Sequence, residues 1–130
     1  MRRRQSVSLA DIEDLAAQSY ARLPKRFRAL CEDLIIRVED FPTSEVIKSM
    51  GLRNRYGLLG LFRGVGLPFR RDVTGQMPNM IWLYRGPILS YWKERGGSLK
   101  AIVTHVLVHE IGHHFGFSDA DMSGIEKETV

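Results

Sequence analysis

One stretch of this chain, residues 99–115, limits its possible folds more than any other. It is strongly apolar, Ser98 precedes it and Gly116 follows it. Ser is a preferred N-cap residue, and Gly commonly follows the last turn of a helix. The first half is rich in β-branched residues and would also suit a buried strand, but strands of this length are rare. The sequence therefore predicts a long helix over residues 99–115.

The C-terminal part of this predicted helix carries side chains suited to metal chemistry. His109 and His113 are four residues apart, so they lie on one face of a helix and can bind one metal ion at ~2.0 to 2.1 Å. Glu110 lies about 100° further round and can act on a water at the metal as a general base. Gly116 lets the chain turn back, and Asp119 can then supply a third ligand. The fourth position stays open to water, which is typical of catalytic zinc sites.

The position of Glu110 on the helix points to a functional site without reference to any motif. At about 100° per residue, Glu110 falls within the arc of apolar side chains that should face the core. That arc consists of Leu99, Ile102, Val103 and Val106. A buried carboxylate is costly unless a metal, a metal-bound water or a cation compensates it. An acid where folding alone would favour Leu therefore indicates function.

Length and composition fit one small globular domain. The chain has 130 residues, of which 44% are hydrophobic and 26% charged, and these values are typical of a single folded domain. We expect a flexible basic arm at residues 1–7 and one domain at residues 8–130. There is no run of ~18 to 20 uncharged apolar residues and no apolar secretion signal, so we expect a cytoplasmic protein without membrane contact. The single cysteine, Cys31, excludes a disulfide within the chain and suits a small buried side chain.

The charge is unevenly distributed along the chain. The net charge is +4, yet residues 46–71 contain six basic and no acidic side chains, whereas residues 101–130 contain five acids and one lysine. A basic stretch can contact nucleic acid. No nucleic-acid motif accompanies it, so we favour a solvated face and do not expect nucleic acid as a partner. The glycine-rich residues 57–66 lack the order of a P-loop or of a dinucleotide fingerprint.

Shorter patterns predict the remaining elements from apolar spacing, capping residues and β-branched or aromatic content. In chain order we predict a helix over residues 9–23, a short helix with Pro24 in its first turn, a strand over 34–38, a short helix capped by Thr43 or Ser44 and ending at Gly51, a strand or bent hairpin within 57–66, a strand over 80–84 that ends at Gly86-Pro87, and a helix over 88–95. Strands and helices are thus mixed along one domain.

The motif resembles that of the small zincin-like metallopeptidases of bacteria. Their pattern is similar to His-Glu-x-x-His-x-x-Gly-x-x-Asp with a Met shortly after. This chain supplies His109, Glu110, His113, Gly116, Asp119 and Met122 at those positions. Shorter matches at residues 23–24, 38–40, 58–64 and 81–85 extend the resemblance over nearly the whole chain. It implies an α+β fold, a compact zincin-like domain in which a small mixed β-sheet packs against helices that include the motif helix.

The resemblance also implies a role for each motif residue. It makes His109, His113 and Asp119 the ligands of one zinc ion and Glu110 the catalytic acid/base. Gly116 and Met122 become structural support. The broader metzincin group usually has His where this chain has Asp119, and its Met-turn lies much further along. Met122 therefore either plays that packing role or is an ordinary core methionine.

Taken together, these features predict a zinc metallopeptidase that acts on a peptide or protein substrate. A metal-activated water would attack the carbonyl while Glu110 takes up the proton and passes it to the leaving amine. Two imidazoles and a carboxylate also accept other divalent ions. The alternative is a zincin-fold metal-binding protein that is weakly active or inactive and serves as a binding or assembly module.

Substrate contacts are less well defined by the sequence. Tyr84, Arg85 and His105 are candidates for stabilising an oxyanion or contacting substrate, although His105 could equally be a structural histidine. His114 points about 100° away from His113 and is not expected to be a ligand. Zincin substrates generally lie along a sheet edge as an added strand, and we expect residues 80–84 to be that edge.

Overall fold

The structure, a computed structural model, describes residues 6–31, 33–63 and 79–129. Within these residues the chain forms six α-helices, one 3-10 turn and a three-stranded sheet. In chain order the elements are α1 (Leu9–Arg22), α2 (Lys25–Arg28), the 3-10 turn (Ala29–Cys31), β1 (Ile35–Glu39), α3 (Ser44–Ser49), β2 (Gly60–Arg63), β3 (Met80–Tyr84), α4 (Arg85–Arg95), α5 (Leu99–His114) and α6 (Asp119–Thr129). None of the described helices is long and apolar enough to cross a membrane. The predicted α+β class is confirmed.

The sheet is mixed, and β3 is its central strand. β3 pairs in parallel with β1, where Leu83 lies opposite Val38, and antiparallel with β2, where Ile81 lies opposite Phe62. Ile81 and Leu83 are fully buried. The expectation that residues 80–84 form the edge is therefore wrong, because a strand that is apolar on both faces suits the middle of a covered sheet. The strand that lies at the edge, against α5, is β2.

Helix α5 is the element around which much of the molecule packs. It contacts α1, α4 and α6 among the helices, and β2 and β3 in the sheet. Its side chains Leu107 and Ile111 join Ile12 and Ala16 of α1 and Leu83 of β3 in one buried apolar core. Removal of this surface from water is the main force that holds the helix in place. The long helix predicted from the sequence is confirmed.

Side-chain caps begin three helices at the places that the sequence predicts. At the start of α1, Ser8 and Asp11 each accept a hydrogen bond from the other's backbone N–H. Thr43, rather than Ser44, caps α3, and Ser98 caps α5. Each cap satisfies a backbone N–H that the first turn of a helix leaves without a partner.

Two helix starts differ from the predictions. α4 begins at Arg85, so Gly86 and Pro87 lie in its first turn instead of separating it from β3. Gly86 fits there because a Cβ atom would overlap the ring of Phe41. Pro87 fits because N–H groups in a first turn have no helical partner. Pro24 is the N-cap of α2 and precedes its first turn.

Helix α6 is absent from the predicted elements. Ser118 and Asp121 begin it with a second reciprocal pair, in which each side chain accepts the other residue's backbone N–H at 3.1 to 3.2 Å. The helix buries Met122, Ile125 and Thr129. These residues pack α6 against α5 and bring a further acidic side chain to the motif.

Some predicted features fall outside the described residues. These are residues 1–5 of the N-terminal arm, residues 64–66 of the glycine-rich stretch and residues 64–71 of the basic stretch. In the described part of the glycine-rich stretch, residues 60–63 form β2 as an ordinary strand. The predicted strand is thus confirmed for that portion.

Candidate metal centre

Two imidazoles of the motif lie side by side near the C-terminal end of α5. The ring centroids of His109 and His113 are 5.5 Å apart, and the ring planes are nearly perpendicular at 88°. The His109 side chain is 26% exposed, and His113 is exposed. Leu107 and Ile111 of the same segment are fully buried and face the core. The four-residue spacing therefore places both histidines where an ion from solution can reach them.

The surroundings of His109 lower the pKa of its imidazole. Burial lowers its pKa below the ordinary value of 6.5, and the neighbouring His105 and His113 lower it further, while Glu126 opposes them. A neutral imidazole carries the nitrogen lone pair that a metal ion requires. The lowered pKa thus favours the form of His109 that can act as a ligand.

Glu110 occupies a different environment, between α5 and the edge strand β2. A Cβ atom placed at Gly60 would lie 3.4 Å from Glu110 Cγ, which shows how closely the strand approaches the carboxylate. Burial raises the pKa of Glu110 to about 7, and a hydrogen bond to the Phe62 backbone acts in the opposite direction. The core-facing position inferred from the helical arc is the physical cause, because burial disfavours the charged form.

The turn after α5 is built around Gly116, as the sequence predicts. Gly116 has a φ of +81°, a left-handed conformation that glycine adopts without a steric penalty. The N–H of Gly116 donates to the His113 carbonyl, and the N–H of Phe117 donates to the Gly112 carbonyl. Asp119 is the first residue of α6 and is exposed. The turn therefore connects the two histidines to the helix that carries Asp119.

An acidic side chain outside the motif, that of Glu126, lies against two imidazoles of α5. Among the described residues, the group of three whose ligand atoms all lie within 4.8 Å of one another is His105, His109 and Glu126. Glu126 Oε2 is 3.1 Å from His109 Nε2 and 2.9 Å from His105 Nδ1. Asp119 is not a member of this group. The structure thus brings together His105 and His109 with a carboxylate that the sequence analysis did not select.

Glu126 escaped the sequence analysis because α6 was not predicted. In a helix, Glu126 lies one turn after the buried Met122 and so belongs near the face that packs on α5. The Ser118-x-x-Asp121 capping pattern was the available indication of this helix. Without the helix, Glu126 was one acid among several in an acidic C-terminal segment.

Met122 packs directly behind the motif. It is fully buried, and a Cβ atom placed at Gly112 would overlap its sulfur. Gly112 lies between Glu110 and His113 on α5, so the Met122 side chain fills the space that a larger residue would need. Met122 thereby sets how closely α6 approaches the motif helix.

Three other residues that the sequence analysis names, Tyr84, Arg85 and His114, lie in separate environments. Tyr84 is buried, and this burial is the main reason why its pKa is raised. The negative charges of Glu39 and Glu110 raise the pKa of Tyr84 further. Arg85 donates hydrogen bonds to the Asp40 carboxylate at 2.7 Å and to the Val7 carbonyl at 2.6 Å, which hold its guanidinium between α1 and the end of β1. The ring of His114 lies 4.4 Å from that of Phe62.

The donor atoms in this region match the requirements of a divalent zinc ion. Zinc accepts imidazole nitrogens and carboxylate oxygens, commonly two histidines with one acid in hydrolytic sites. The imidazoles of His109 and His113 offer such nitrogens on α5, and Asp119 and Glu126 offer carboxylate oxygens on α6. The residues present therefore fit the ion.

Comparisons with known proteins concern the family and the fold of the chain. A sequence model described as zincin-like metallopeptidase matches residues 31–129. Among solved structures, a conserved hypothetical protein from Thermus thermophilus has a TM-score of 0.56 and 21% sequence identity, with 90% of this chain and 98% of that chain covered. At this identity the likeness concerns the fold alone. No curated protein matches the chain.

Proposed function

Because the chain belongs to the zincin-like metallopeptidase family, we propose that it is a zinc-dependent metallopeptidase that hydrolyses peptide bonds. The observation that carries this proposal is the position of the half-buried Glu110 carboxylate, which follows His109 directly on α5 and lies against β2. Burial there also raises the pKa of Glu110 to about 7. General acid–base catalysis is most efficient when the pKa of the group lies near the working pH. Glu110 meets that condition on the same turn of α5 as the histidines.

We assign His109, His113 and Asp119 as the residues that hold the ion. The two histidines come from one turn of α5, and Asp119 belongs to the first turn of α6, which the turn at Gly116 joins to α5. Bound there, a zinc ion would supply Lewis acidity that polarises the scissile carbonyl and makes water easier to deprotonate. Other divalent ions accept the same donors, so the identity of the ion is part of the proposal.

Glu110 performs the proton transfers in this proposal. Its carboxylate accepts a proton from the attacking water and then gives that proton to the nitrogen of the leaving amine. The environment between α5 and β2 suits both steps, since burial makes the carboxylate a stronger base than an exposed glutamate. The same burial keeps bulk water away from the proton that is being transferred.

The edge strand β2 supports a peptide as the substrate. β2 pairs with β3 on one side, and among the described residues no strand pairs with its other side. An extended peptide can add to such an edge through main-chain hydrogen bonds. Gly60 of this strand lies against Glu110, so a peptide bound along β2 would pass close to the proposed acid/base.

Substitution of Glu110 tests the proposal. We expect Glu110→Gln to keep its zinc and to lose hydrolysis of a mixed peptide library by about 10²- to 10⁴-fold, the usual contribution of a general acid/base. Glu13→Gln, which changes an exposed glutamate on α1, serves as the matched control and should keep full activity.

The assay also separates the peptidase from a binding module. Wild type and Glu110→Gln that both bind zinc and cleave at the same rate would contradict the assigned role of Glu110. A zinc-loaded wild type that cleaves no member of the library would instead favour the zincin-fold binding or assembly module.

A further inference from the structure

We propose that His105, His109 and Glu126 form a second divalent-cation site, distinct from the ligand set of the motif. The two sets share His109, so each His109 imidazole can serve only one of them at a time. The existence of the second site stands independently, whereas the competition between the two sets rests on the proposed function. The second set is built by α5 and α6 alone.

The distances between the donor atoms carry this proposal. Glu126 Oε2 lies 2.9 Å from His105 Nδ1 and 3.1 Å from His109 Nε2, and all three ligand atoms lie within 4.8 Å of one another. Two ligands at ~2.05 Å from a tetrahedral zinc ion are roughly 3.3 Å apart. Small movements of these side chains would therefore admit an ion between them.

The backbone holds these donors in place before any ion binds. His105 and His109 are one turn apart on α5, and their ring centroids are 4.0 Å apart. Glu126 is one turn after Met122, whose side chain is packed on Gly112 of α5. Rigid elements therefore set the positions of the imidazoles and the carboxylate, which reduces the ordering cost of binding.

A cavity beside His105 and Glu126, two of the three proposed ligands, gives the proposed ion access to solvent. It has a volume of about 330 Å³ and is lined by His105 and Glu126 together with Tyr91, Gly97 and Ile102 among others. This space can hold the water that completes the coordination of an ion with three protein ligands. Glu110 is not among the residues that line it, because Glu110 lies on the β2 side of α5.

The location of Glu110 determines what the second site can do. An ion held by His105, His109 and Glu126 would face the cavity and lack a neighbouring general base. It would also occupy the His109 nitrogen that the motif needs. An ion in the second site is therefore expected to keep the peptidase inactive, and the relative affinities of the two sets decide what fraction of the zinc-loaded chain is in this state.

The number of zinc ions bound by each variant tests the proposal without any activity assay. We expect one ion in the wild type, one in the double variant His113→Ala/Asp119→Asn, which retains only the second set, and one in His105→Ala/Glu126→Gln, which retains only the motif set. His109→Ala should bind none. Glu128→Gln, an exposed glutamate on the same helix, is the matched control and should bind as the wild type does.

Affinity gives a second readout on the same samples. Adding Glu126→Gln to His113→Ala/Asp119→Asn should weaken zinc binding at least about tenfold in competition with a chromophoric chelator, since even outer partners of a metal ligand contribute that much. Circular dichroism identifies any variant that fails to fold. If the variant with Glu126→Gln does not fold, His105→Asn replaces it in the same comparison, because His105 is exposed. An unchanged affinity in the folded variant would overturn the second site.

The outcomes distinguish this inference from the proposed function. A double variant His113→Ala/Asp119→Asn that folds and binds no zinc would overturn the second site while leaving the peptidase proposal intact. Two ions in the wild type would overturn the competition. Zinc retained by that double variant, together with a zinc-loaded His105→Ala/Glu126→Gln that cleaves no peptide, would support the second site and contradict the proposed function.

Discussion

The two sides of α5 near the motif present carboxylates in opposite surroundings. On the β2 side, Glu110 is half-buried, and burial raises its pKa to about 7. On the α6 side, Glu126 is hydrogen-bonded to His105 and lies 3.1 Å from His109. The first carboxylate is suited to moving a proton and the second to holding a cation. The two sides of α5 therefore differ in chemical character because different elements pack against them.

The junction between α5 and β2 and the junction between α5 and α6 each depend on a close approach at a glycine. On the β2 side, Gly60 lets the strand approach Val106 and Glu110 of α5. On the α6 side, Gly112 admits the side chain of Met122. A change at either contact should alter one junction and leave the other largely intact, which allows the two to be tested separately.

Met122→Ala should produce the largest loss of stability. Met122 is fully buried, and removing such a side chain leaves a cavity that costs about 2 to 5 kcal/mol in the free energy of unfolding. Urea unfolding of the metal-free protein measures the loss. Met50→Ala, at a position that is 48% exposed, is the control and should change stability by less than about 0.5 kcal/mol. Equal effects of the two substitutions would contradict the packing of α6 on Gly112.

Gly60→Ala should disturb the junction between α5 and β2. We expect it to lower the free energy of unfolding by about 1 to 3 kcal/mol, the usual cost of overpacking. The added Cβ would lie 2.7 Å from Val106 Cγ1 and 3.1 Å from the Trp82 carbonyl oxygen. Gly124→Ala is the matched control, because a Cβ there meets open space within helix α6. That substitution should stabilise the protein by roughly 0.5 to 1 kcal/mol. If Gly60→Ala were also stabilising, the close contact between β2 and α5 would be wrong.

The pH dependence of stability should differ between wild type and Glu110→Gln in zinc-free protein. The pKa of Glu110 is raised from 4.5 to about 7 on folding, so the folded state retains a proton that the unfolded state has already released. The stability that this proton contributes is complete below pH 4.5 and is lost as the pH rises through 7. The loss should be about 2 kcal/mol after allowance for partial solvent access. Urea unfolding from about pH 4 to 8, taken as the difference between the two proteins, measures it, and a constant difference would contradict the burial of Glu110.

The sequence predicts the residues on the side of α5 that faces β2 better than those on the side that faces α6. Helical spacing alone placed His109 and His113 together and turned Glu110 away from solvent, because these relations are local to one helix. Residues 80–84 were correctly predicted as a strand. Their position in the sheet depends on pairing with distant residues, which a local pattern does not contain.

A prediction of the residues on the α6 side would have required knowledge of the contact between α5 and α6. The approach of Glu126 to His105 and His109 depends on the packing of Met122 on Gly112, and neither residue indicates the other in the sequence. The family resemblance supplied the ligand set of the motif, and the match over residues 31–129 confirms the family. It did not indicate that a second carboxylate, that of Glu126, would lie 3.1 Å from His109 Nε2.

The most direct test of the account measures zinc content and peptide hydrolysis on the same purified samples of wild type and His109→Ala. His109 belongs to both ligand sets, so its loss should remove the ion wherever the ion is held. We predict about one zinc per chain and measurable cleavage for the wild type, and neither for a folded His109→Ala. Equal zinc content in the two proteins would contradict a metal centre built on α5.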